Sequence, residues 1–167
     1  MPSLKAYGFR MPVGFAGDLQ RAEIATVETQ LIDPSAPPKA FGVAVKMVNG
    51  MIQPINAATD TPEIVYGINL RAVPQQASVN DPLGTATPPS SGPTDILKRG
   101  YVDVQLNGPA AATKDGAVFV RIANATPDKP VGGFEAAADG TNTFQLTNAY
   151  FTGQADAYGV TEVALKI

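Results

Sequence analysis

Along "FGVAVKM", Phe41, Val43, Val45 and Met47 alternate with Gly42, Ala44 and Lys46. "EIVYGINLRA" groups Ile64, Tyr66, Ile68 and Leu70, with Asn69 and Arg71 facing away. "YVDVQLN" sets Val102, Val104 and Leu106 against Tyr101, Asp103 and Gln105, and "VFVRI" sets Val118, Val120 and Ile122 against Phe119 and Arg121. The final run sets Val163, Leu165 and Ile167 against Glu162, Ala164 and Lys166, up to the terminal residue. Successive side chains of an extended chain point to opposite faces, so period two repeated this often predicts an antiparallel sheet with one wet and one dry face. With "MIQP" and "TFQLT" the count reaches about eight strands. The expected fold is all-β: an antiparallel jelly-roll-like sandwich or small barrel.

Sixteen Gly and fifteen Pro cut the chain into pieces too short for most helices. "GDLQRAEIATVETQLIDP" is the ambiguous stretch, free of Gly and Pro between Asp18 and Asp33. As a helix it leaves a ragged stripe of Leu19, Ile24, Val27 and Leu31. As a strand it aligns Ala25, Val27 and Leu31, and its Thr-Val-Glu-Thr centre is β-prone, so a strand is expected. Residues 1–17 are apolar without a period and read as an N-terminal arm; residues 18–167 read as a single β domain. Within that domain, 74–95 is a polar segment carrying Pro74, Pro82, Pro88, Pro89 and Pro93, and it predicts a long loop. The arm holds Tyr7, Phe9 and Phe15 among Gly and Pro. These rings either plug one end of the barrel or lie in a neighbour's groove as partner-binding anchors.

Composition narrows the chemistry. The 167 residues suffice for one domain that buries roughly 70% of its unfolded surface. There is no Cys, which excludes disulfides and thiolate chemistry, and no His, which removes the commonest general base and imidazole ligand. Charged residues are sparse at 16%, and a net charge of −3 with scattered bases does not suit nucleic-acid binding. No apolar run approaches a membrane span, and "MPSLKAYGFRMPVGF" lacks the apolar core of a signal peptide, so a cytoplasmic origin is expected. The carboxylates rarely cluster. Asp103 is expected to be a solvated residue on the wet face, and "AADGTNT" to be a hairpin turn rather than a calcium site at Asp139 and Asn142. Asn124 heads a glycosylation-type triplet with no other sign of secretion. The expectation is a protein that is not an enzyme, with no cofactor and no metal site.

Three blocks carry a resemblance: "GDLQRAEIATVETQLIDPSAPPKAFGVAVKMVNGMIQP", "DILKRGYVDVQLNGPAAATKDGAVFVRI" and "PVGGFEAAADGTNTFQLTNAYFTGQADAYGVTEVALKI". In order and spacing they resemble the structural cement family of tailed bacteriophages, capsid decoration and stabilisation proteins exemplified in a Bordetella phage. The resemblance covers nearly the whole chain. It implies a virion protein on the outer capsid surface, present in the host cytoplasm during assembly. Its implied partner is a major capsid protein of HK97-like fold, bound by a jelly-roll-like homodimer. Alternatives are another virion β-module, from tail or baseplate, or a carbohydrate-binding β-sandwich. The lack of Trp argues against the last. A two-carboxylate glycosidase is the weakest reading.

Overall fold

The computed structural model describes residues 14–71 and 87–167. It is all-β, with helical residues, among those described, confined to three single 3-10 turns. Ten strands follow in chain order: β1 (Leu19–Gln20), β2 (Thr26–Ile32), β3 (Ala44–Val48), β4 (Met51–Pro54), β5 (Val65–Asn69), β6 (Gly92–Asn107), β7 (Gly116–Arg121), β8 (Phe134–Glu135), β9 (Thr143–Phe151) and β10 (Val160–Leu165). The ambiguous N-terminal stretch is extended, as its branched residues predict, but a 3-10 turn at Ala22–Ile24 divides it into β1 and β2. The segment expected to be loop up to Asp95 ends earlier: Gly92–Asp95 already pair with β2.

The pairings close two rings that share β6. One runs β6–β2–β4–β3–β5 and back to β6; the other runs β6–β8–β7–β9–β10 and back to β6. The β2–β4 and β6–β8 contacts are parallel, so the sheet is mixed rather than wholly antiparallel. β6 has 16 residues and spans both rings, changing partners near Gly100. Gly100 has φ of 137°, and a Cβ there would meet Ala25 at 3.2 Å, so the crossing requires glycine. Between β3 and β4, Asn49 and Gly50 both have positive φ and close a two-residue hairpin, the turn this dipeptide favours.

Two cores result. The larger one packs Val102, Val104, Val118, Val120, Phe134, Phe151, Val163 and Leu165 with Ile68 and Leu97. The smaller one holds Val45, Ile52 and Ile96, with Met47 and Tyr66 against it. Consecutive residues of β6, Ile96 and Leu97, therefore serve different cores. This is why the wet-and-dry expectation fails for the central strands: Ala44 and Val45 of β3 are both fully buried, as are Val163 and Ala164 of β10. The C-terminal alternation stops at Leu165. Lys166 turns into the left-handed region (φ 54°), its N–H donates to the Asn148 carbonyl at 2.7 Å, and Ile167 is left half-exposed.

Candidate functional site

Among the described residues, polar clusters tie separate elements together. In the first, Arg121, expected on a wet face, is 2% exposed. Its Nε donates to Glu135 at 2.5 Å and its Nη2 to Asp139 at 2.5 Å, while Nη1 reaches the Ala123 and Asn124 carbonyls. Lys129 adds a bond to Glu135 at 3.3 Å. Arg121, Lys129 and Asp139 border an open depression of about 570 Å³ that Asn124, Asp128 and Asn142 also line. The Arg121 bond, outweighing burial, holds the Asp139 carboxyl below its ordinary range. Gly140–Asn142 form a 3-10 turn, and Asp139 is a structural partner of Arg121. Among the described residues, no group of three or more acidic residues is disposed to hold a metal ion.

The second cluster is a buried pair, Lys46 Nζ with Asp60 at 2.9 Å, in which Asp60 also accepts the N–H groups of Asn56 and Ala57. Burial raises the Asp60 pKa, but these bonds outweigh it and the net shift is downward. In the third, the Tyr66 hydroxyl donates to Glu28 and accepts from Gln30 at 3.0 Å, with Lys98 Nζ 3.2 Å from the Tyr66 ring centroid. The Glu28 bond raises the Tyr66 pKa, and burial lowers that of Lys98.

That last cluster decides how β2 faces. Glu28, Gln30 and Ile32 share one side of the strand, and Tyr66 draws the first two inward. Val27 and Leu31, aligned on the other side of the strand, therefore point outward. They are 39% and 56% exposed, and Ile24 beside them is exposed too. Among the described residues, only Ile32 pairs on the edge of β2 away from β6. Thr26–Leu31 thus present an unpaired backbone edge beside apolar side chains, the usual template for strand addition.

Asp103, expected in solvent, is fully buried. Gly14 lies over it and Arg21 stacks on neighbouring Tyr101 at 3.9 Å, so residues 14–21 roof the face that the alternation marked as wet. Of the three aromatics singled out in the sequence, Tyr7 and Phe9 lie outside the described residues. Phe15 is half-exposed, with the Arg71 guanidinium 4.9 Å from its ring centroid. Tyr158, which sequence reasoning passed over, is the most exposed large apolar residue described. Its turn is fixed by Asp156, which accepts the N–H groups of Tyr158 and Val160.

Among the described residues, the double ring carries these polar clusters and an unpaired β2 edge from Thr26 to Leu31. A family model described as XM1 gp53 minor capsid protein matches residues 4–165. Among solved structures, a chain from "The capsid of Myoviridae Phage XM1" is similar in fold, with a TM-score of 0.66 at 18% identity, covering 98% of this chain and 97% of that one. Among curated proteins, none matches.

Proposed function

Because the chain belongs to the XM1 gp53 minor capsid protein family, and so is a phage capsid-associated structural protein, we propose that it is a cement, or decoration, protein. In this reading it binds the outer surface of the assembled head and stabilises the contacts between major capsid subunits of HK97-like fold. The observation that carries the reading is the β2 edge: unpaired from Thr26 to Leu31 among the described residues and flanked by exposed Ile24, Val27 and Leu31.

The same edge, which pairs with one strand at a time, alternatively closes a homodimer that meets the capsid through other surfaces. An antiparallel pairing of two copies centred on Thr29 sets Val27 opposite Leu31 and Glu28 opposite Gln30, with no like charges facing. The N-terminal aromatics Tyr7, Phe9 and Phe15 then supply further anchors to the capsid. No reaction is required. A protein that binds the assembled shell but not its separated subunits stabilises the shell by its binding free energy, repeated over many copies.

Co-sedimentation with purified heads tests this, together with the temperature at which the heads disrupt. The wild type should pellet with heads and raise that temperature. Leu31→Lys, at a position 56% exposed, should fold normally yet lose at least tenfold in affinity. Binding to tails rather than heads, or head binding indifferent to Leu31→Lys and Val27→Lys, would overturn the reading.

A further inference from the structure

Asp103 stands at the centre of a row of carboxylates that runs from β10 across β6 to the segment entering β1. Glu162 of β10 is its register partner, and on the other side its N–H donates to the Asp18 carbonyl at 3.0 Å, one residue before β1. The Asp103 Oδ2 accepts from Gln20 Nε2 at 2.7 Å, while its buried Oδ1 has no partner among the described residues. The segment that covers it is held at the same point. Gly17 donates its N–H to the Asp103 carbonyl at 2.7 Å. A Cβ on Gly14 would come within 2.4 Å of Asp103 Oδ2 and 3.1 Å of Asp18 Oδ2.

The charged groups around Asp103 are mostly acidic. Asp18 faces it from the covering segment, Glu162 from β10 and Asp156 from the turn before β10. The neighbouring cation, Arg21, is engaged with Glu162 at 2.8 Å. An ionised carboxylate here has one oxygen without a donor and like charges nearby; protonation removes the repulsion and lowers the cost of burying the unpartnered oxygen. We propose that Asp103 is a proton-operated latch: protonated, it holds residues 14–20 against β6, and ionised, it loosens that seam.

Burial is the main cause that pushes the Asp103 pKa up to about 6, with Glu162, Asp18 and Asp156 adding to it and the Gln20 bond opposing. The folded value lies above the ordinary 3.8. The folded state therefore binds more protons between those two values, and the stabilisation is lost as pH rises through about 6.

The test is a carbon-13 titration of the Asp103 carboxyl in the full chain, with amide exchange at Gly17 and Asp103 across the same range. The expected midpoint is near 6, with protection of the two amides, corrected for intrinsic exchange, falling about tenfold or more between pH 5 and 7.5. In Asp103→Asn that dependence should vanish. A midpoint at an ordinary carboxyl value, or equal pH dependence in Asp103→Asn, would overturn the latch. If Asp103→Asn does not fold, the wild-type titration and exchange decide alone.

Discussion

Replacing Arg121 with Met keeps the aliphatic part of the side chain and removes the guanidinium with its charge. The structure says where the cost falls. Asp139 has a side chain 44% exposed, so water replaces its lost partner at small cost. Glu135 has a side chain only 5% exposed and would retain just Lys129, at 3.3 Å. Breaking a buried pair from one side costs about 3–5 kcal/mol, because the abandoned charge has neither water nor a partner. For a chain of this size each kcal/mol lowers Tm by roughly 2–4 °C, so a cost of about 4 kcal/mol lowers it by about 8–16 °C. Asp139→Asn alone should cost less than about 1 kcal/mol. Arg121→Met combined with Glu135→Leu should recover at least half of the loss, because a buried ion pair replaced by apolar groups is often neutral. Urea denaturation of the wild type, the three single variants and the double variant measures these terms through a double-mutant cycle. Asp139→Asn costing as much as Arg121→Met, or a double variant no more stable than Arg121→Met, would show that the loss does not come from an abandoned Glu135.

Three further outcomes are expected. Stability should fall below about pH 4: Asp60 has its folded pKa lowered from 3.8, so its contribution is present above that value and lost as pH falls through the lowered one. Lys46→Met should be markedly destabilised at neutral pH and lose that acid-dependent step in pH-resolved melts; retention of the step would assign it elsewhere. A chain beginning at Gly14 should fold with an unchanged circular-dichroism spectrum but bind heads at least tenfold more weakly, equivalent to about 1.4 kcal/mol, and equal binding would make Tyr7 and Phe9 dispensable. Replacing residues 76–86 with a Gly-Ser linker of similar length should leave Tm nearly unchanged, since loop closure varies by only about 0.6 kcal/mol per doubling of length; a large drop would show that the segment packs.

The strands were legible because alternation and turn chemistry are local. "VFVR" and "YVDVQLN" fall in strands, and Asn49-Gly50 turns the chain where a hairpin needs positive φ at both positions. Facing was not legible in the same way, because it depends on what arrives from elsewhere. Asp103 is buried by Gly14, almost ninety positions away in the chain, and Arg121 by acidic residues of later segments. β2 shows the same limit: its apolar side faces outward because Tyr66 binds Glu28 and Gln30 on the other. One signal was available for Arg121 and Lys46. In a chain with only 16% charged residues, a base inside an apolar strand is more economically matched to a buried acid than to solvent.

The sharing of β6 between two rings has a mechanical meaning. A tug applied at the β2 edge enters β6 along its first half and leaves through β10, which is bonded to its second half. The strand then works as a spar loaded lengthwise, and its flanking hydrogen bonds must give way together rather than unzip one after another. Pulling between β2 and β10 in a single-molecule experiment should accordingly produce one abrupt rupture, with neither ring yielding before the other.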